Sequence, residues 1–167
     1  MKNVILAIVT AAATVLSTVS QADAVDFEWV DESILDDFTD ELTGFIVLWP
    51  EGSSLDSPLM DNPGVRFVMI ACPSEELMVS IQTDEYLGRD TTSPVLYRID
   101  DEEPRQTIMH TKKNVLVSFS NGLAEELVRA KKLRFKIEDY SGDSTTSVIN
   151  VANDGVEILK PFAEKCK

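Results

Sequence analysis

Leu133-Arg134-Phe135-Lys136-Ile137-Glu138 alternates apolar and charged side chains without a fault. Successive side chains of a strand point to opposite faces, so this stretch describes a strand with one dry face and one wet face. Ser141-Gly142-Asp143 then supplies a turn, and the chain returns through Ser147 to Val151 as a second strand. Toward the N-terminus, strands are expected at Val65 to Ala71, Leu77 to Gln82, Val95 to Ile99, Gln106 to His110 and Val115 to Phe119, each bounded by turn residues. Phe45-Ile46-Val47-Leu48-Trp49 reads as one more strand, stopped by Pro50.

Two helices accompany these strands. The first is expected from about Gly122 to Lys131 with Asn121 as its N-cap; Glu125 and Glu126 toward its start and Arg129, Lys131 and Lys132 at its end complement the helix dipole. The second opens Asp154-Gly155-Val156-Glu157, with the spacing of a capping box, and carries Val156, Leu159 and Ala163 down one face toward Cys166. Pro161 should bend it. Strands outnumber helices and follow one another as hairpins, so the expected fold is mainly β or α+β. The architecture expected is an antiparallel β-sandwich or half-barrel with one internal and one C-terminal helix.

The first residues read as an address. Lys2 precedes an uncharged run of 16 residues from Val4 to Val19, and Ala22 and Ala24 then provide the small side chains that a signal peptidase accepts. Residues 1–24 are therefore expected to be a secretory signal peptide, with the mature chain beginning at Val25. The run is shorter than the about 20 residues that span a bilayer, so no membrane span is expected after cleavage. Export implies the periplasm or the exterior, where thiols oxidise. Cys72 and Cys166 are the only cysteines of the 167 residues, and one intramolecular disulfide is the economical expectation.

Charge is unevenly spread. Residues 25–65 carry 11 acidic side chains and no Lys or Arg, whereas the 102 residues from 66 to 167 hold 17 acidic and 14 basic ones. The chain divides accordingly into an acidic N-terminal segment, 25–64, and an antiparallel β domain, 65–167. Within the segment Ile34, Leu35, Phe38 and Leu42 have helical spacing, so a short docked helix is a reasonable expectation. Repulsion between Asp36 and Asp40, and between Asp37 and Glu41, weakens such a helix in isolation. The aromatic residues Trp29, Phe38 and Trp49 among these carboxylates suggest a surface for a basic protein partner, with Asp36, Asp37, Asp40 and Glu41 as its charged contacts.

A formal net charge of −14 repels a phosphate backbone, and nucleic acid is an unsuitable partner. A single His and two Cys leave too few soft ligands for the common zinc sites, and no phosphate-binding glycine loop, nucleophile elbow or paired-His motif occurs. No catalytic residue, metal or cofactor is therefore assigned. His110 beside Thr111-Lys112-Lys113 reads as a surface side chain. Asp100-Asp101-Glu102-Glu103-Pro104 reads as an acidic hairpin tip without dedicated calcium-loop spacing. Asp139-Tyr140-Ser141-Gly142-Asp143 lacks the later bidentate Glu of a calcium loop and is better explained by turn chemistry.

Leu87-Gly88-Arg89-Asp90, followed by Val95-Leu96-Tyr97-Arg98-Ile99-Asp100, resembles the type VI secretion-associated VasI family, in which an LGxD turn precedes a YRID strand. A strand ending at Cys72, the hairpin from Leu133 to Val151 and a last helix closing on Cys166 are similar as well. The resemblance covers about residues 65–166, and its matching positions are Leu87, Gly88, Asp90, Tyr97, Arg98 and Asp100. The residue before the first Cys, commonly Arg in that family, is Ala71. The resemblance implies a non-enzymatic accessory protein. Period two places Tyr97 on the face of Val95 and Ile99 with Arg98 opposite, so Tyr97 is expected to pack while Arg98 pairs with a carboxylate. The functional expectation is an exported protein-interaction module; the alternative is an immunity or inhibitor protein whose acidic segment clamps a cationic enzyme such as a lysozyme.

Overall fold

The computed structural model describes residues 24–35, 42–51, 64–73 and 76–166. Among these described residues eleven strands and two helices follow in the order β1 (Val25–Asp31), β2 (Ile34–Leu35), β3 (Leu42–Thr43), β4 (Phe45–Pro50), β5 (Val65–Ala71), β6 (Met78–Thr83), β7 (Arg89–Ile99), β8 (Arg105–Lys112), β9 (Val115–Phe119), α1 (Asn121–Arg129), β10 (Lys132–Glu138), β11 (Ser144–Val151) and α2 (Val156–Lys165). Nine of the strands form a closed barrel in the order β1-β11-β10-β7-β8-β9-β6-β5-β4, with β4 pairing back onto β1.

This corrects the expected sandwich or half-barrel. The missing element is β1, which runs parallel to β11 through Val25 and Ile149 and antiparallel to β4 through Trp29 and Leu48. Every other barrel pair is antiparallel. The acidic segment thus supplies two barrel strands, β1 and β4. Closure satisfies the outer backbone groups that an open sheet would leave at its two edges. The expected docked helix is also corrected in part: Ile34–Leu35 pairs as a strand with Leu42–Thr43, and residues 36–41 lie outside the described residues.

The pattern that announced β10 organises the barrel. Its inward residues Leu133, Phe135 and Ile137 are buried, and register places Phe135 beside Tyr97 on β7 and beside Ser147 on β11. The core continues around the wall through Phe27, Trp29, Ile46, Leu48, Val68, Ile70, Val79, Ile81, Met109 and Leu116. The interior is a packed core. Near one end the backbone N–H of Val65 on β5 donates to Ser147 Oγ at 2.9 Å, although β5 and β11 are not neighbours in the sheet. Gly64 permits this approach: its φ is +93°, and a Cβ there would stand 2.6 Å from Ser147 Oγ.

The helices cover the other end. There β9 passes into α1, β11 passes into α2, and Leu123, Leu127, Leu159 and Phe162 join the same core as the strands. Ser120, rather than the expected Asn121, caps α1: its hydroxyl accepts from Leu123 N at 3.2 Å. Asn121 instead accepts from Leu77 N at 2.9 Å, tying the helix start to the approach of β6. Ahead of α2, the Asp154 carboxylate accepts from Val156 N at 2.9 Å. Asn153 completes Trp29 on the strand: its Oδ1 accepts from Trp29 N at 2.7 Å and its Nδ2 donates to Trp29 O at 2.8 Å. Gly155 lies so close that a Cβ there would be 2.6 Å from the Trp29 ring. Cys72, just past β5, and Cys166, just past α2, are joined by a disulfide with their Cα atoms 5.7 Å apart.

Candidate functional site

The motif residues divide between the two ends of β7. At the helix end, Tyr97 is turned into the core, with Val95 and Ile99 on its face as period two requires. Its hydroxyl donates to Glu126 Oε2 of α1 at 3.2 Å, and Arg105 Nη1 donates to Glu126 Oε1 at 2.7 Å while its Nη2 reaches Glu102. Loss of solvent around the phenol, reinforced by the Glu126 charge, holds the Tyr97 proton above the ordinary tyrosine range. The Arg105 guanidinium is held yet more firmly protonated by Glu126 and Glu102.

Asp100 organises the turn between β7 and β8. Its backbone adopts φ +48°, and its Oδ1 accepts from both Lys131 N at 3.0 Å and Lys132 N at 2.8 Å, joining the turn to the start of β10. Arg134 Nη1 donates to the Asp100 carbonyl at 2.6 Å. Arg98 departs from its expected carboxylate pairing: its Nη2 donates to the Asp101 carbonyl at 3.3 Å. Residues 101–104 are exposed between β7 and β8, the acidic hairpin tip that the sequence suggested, and Asp100 at its base ties it to the start of β10.

At the opposite end, Leu87 is buried and its N–H donates to Lys113 O at 2.7 Å, while Lys113 N donates back to Gly88 O at 2.8 Å. Asp90 occupies the register shift between Arg89 and Thr91 with φ +49°. Beside this junction lies the turn from Asp139 to Asp143. Asp139 Oδ1 accepts from Ser141 N, Ser141 Oγ and Asp143 N at 2.8 to 2.9 Å, and these bonds, the Ser141 hydroxyl foremost, hold its carboxyl below the ordinary value of 3.8. The segment is thus a closed Asx turn, as its sequence suggested. Tyr140 N donates to Tyr86 O at 3.1 Å, and the two rings meet edge to face with centroids 5.9 Å apart. Tyr140 is 76% exposed and Tyr86 49%.

The proposed partner surface of the acidic segment is redrawn by burial. Trp29 and Trp49 retain only 2% and 5% exposure, so their rings serve packing. Asp36, Asp37, Phe38, Asp40 and Glu41 lie outside the described residues. Sequence reasoning missed Tyr86 and Tyr140 as aromatic surface; the available signal was two tyrosines in or beside polar turns, where no core can claim them. Among the described residues three further large apolar side chains stay exposed, Leu96, Ile108 and Phe119, on the outer wall of β7, β8 and β9. A groove of about 410 Å³ runs between α1 and α2, floored by Leu77, Val128 and Leu159 and bordered by the Glu125–Arg129 ion pair.

Among the described residues no group of three or more His, Cys, Asp or Glu is placed to hold a metal, and no helix is long and apolar enough to cross a membrane. No family model matches the chain, and no match is found among curated proteins or solved structures.

Proposed function

We propose that the chain is an exported, non-enzymatic interaction module of the periplasm, similar in role to the VasI accessory proteins, that acts by presenting the exposed side chains of a rigid barrel to a protein partner. The observation that carries this reading is the placement of the large apolar side chains left in water. Among the described residues five are exposed: Tyr86 and Tyr140, whose rings meet, and Leu96, Ile108 and Phe119 on the neighbouring strands β7, β8 and β9. Gathered apolar exposure on a soluble surface marks recognition more than scattered exposure does. The Cys72–Cys166 disulfide agrees with an oxidising compartment.

The test is expression from residue 1 with a C-terminal tag, followed by fractionation, intact-mass measurement and cross-linked capture. The expected product is an oxidised chain beginning at Val25 in the periplasmic fraction, with a stoichiometric partner. A reduced chain retaining residues 1–24 in the cytoplasm overturns the reading. The net charge of −14 favours a second reading, inhibition of a cationic enzyme such as a lysozyme. That reading requires loss of lytic activity at equimolar protein, and undiminished lysis removes it.

A further inference from the structure

The two exposed groups differ in electrostatic setting, and that difference selects a partner. Leu96 is registered against Lys136 of β10, and Arg98 and Arg134 are paired with each other two residues further along the same two strands. The tyrosine end is different. Glu85 precedes Tyr86, Asp139 precedes Tyr140, and Glu138, Asp143 and Asp90 complete five carboxylates in or beside the same turns. Asp84 is already paired with Arg66, and the cations of this end are Arg89, Lys112 and Lys113.

We propose that the Tyr86–Tyr140 pair is the docking point for an arginine- or lysine-bearing segment of a basic protein partner. The inference rests on the interaction reading above and names the surface and the partner's chemistry. Each ring offers an electron-rich face to a cation, and the neighbouring carboxylates add a charged contact to the same side chain. The rings are held in advance of binding. Tyr140 N is fixed on Tyr86 O, Leu87 next in the chain is buried, and Gly88 lies against the Tyr140 ring, where a Cβ would come to 3.4 Å of its Cδ2. The ring contact and the backbone bond reduce the freedom that the pair must lose when a partner arrives, which favours an aromatic contribution to an interface. At longer range the charge of −14 steers a basic partner toward the chain, and the rings supply the contact.

Titration of the ¹⁵N-labelled mature chain with an octa-arginine peptide tests the proposal. The largest shifts should fall on the amides of residues 86–90 and 139–143. The double variant Tyr86→Ser, Tyr140→Ser keeps the net charge and should bind the peptide roughly fivefold more weakly. The variant Ile108→Ser, Phe119→Ser should bind as the parent does. Shifts that map elsewhere, an unchanged affinity in the tyrosine variant, or an equal loss in the wall variant would each overturn the assignment. Cross-linked capture of a partner by the parent chain can succeed whichever way this titration falls, so the interaction reading and the site assignment fail separately.

Discussion

At the helix-bearing end, Tyr97, Arg105 and Glu126 direct their polar atoms at one another and Asp100 accepts from the Lys131 and Lys132 backbone, whereas at the turn-bearing end Tyr86 and Tyr140 meet edge to face and leave much of both rings in water. Both ends are held by hydrogen bonds between loops, and they differ in what is left over. A side chain whose groups are satisfied internally adds stability and has little to offer a second molecule. Exposed aromatic area fixed in place has the opposite balance. The motif strand β7 joins the two, so residues adjacent in a family resemblance serve different ends of the molecule.

The sharpest way to break the contrast is at the disulfide, which anchors the helix end to β5. Replacing Cys72 and Cys166 by Ser releases a link across 94 positions and should lower stability by about 4 to 5 kcal/mol, because the unfolded chain regains the entropy of that loop. Denaturant unfolding measures the loss, and the variant should still fold, since the core is contributed by both sheet and helices. A smaller loss is expected from Asp100→Ala. Two backbone N–H groups lose their acceptor, which corresponds to about 1 to 3 kcal/mol, and the amides of Lys131 and Lys132 should exchange hydrogen faster.

Tyr97 provides a pH test of the same end. Its proton is held above the ordinary value of 10.0, so the folded state favours the neutral phenol. The associated stability is fully present below that value and is lost as pH rises through the higher folded-state one. Absorbance titration should find a tyrosinate absent from Tyr97→Phe and forming later than a free tyrosine would. The smallest effect belongs to the turn end: Tyr86→Ser with Tyr140→Ser should change unfolding free energy by less than about 1 kcal/mol, because exposed rings contribute little burial. A large loss there would show the pair to be structural and remove the contrast.

Much of the wall was legible from alternation alone. Val65–Ala71 and Val115–Phe119 form strands with the expected bounds, and Leu133 to Glu138 is extended by only one residue, Lys132. The strand β1 was present in the same code, since Val25, Phe27 and Trp29 alternate with Asp26 and Glu28, but the density of carboxylates suggested a partner surface rather than a barrel strand. Burial of one face outweighed the repulsion on the other. Closure itself was not legible, because pairing Val25 with Ile149 depends on contacts across more than a hundred residues and leaves no local trace. Tyr97 was read as a packing residue and is one. Arg98 and Asp100 were harder, since their partners are backbone groups, and sequence displays side chains more plainly than backbone direction.

The parallel pairing of β1 with β11 also sets an order of events. The hairpins from β5 to β9 join strands close in sequence, and β1 can find β4 after a short connection, but the seam between β1 and β11 waits for residues 144–151. Ring closure therefore comes late, after nearly the whole chain is available, and it carries the loop-closure entropy of a distant contact. Until then an incomplete sheet has free edges open to other strands. A chain threaded through a pore from its N-terminus would remain in that unclosed form during transit and complete its barrel only on the far side.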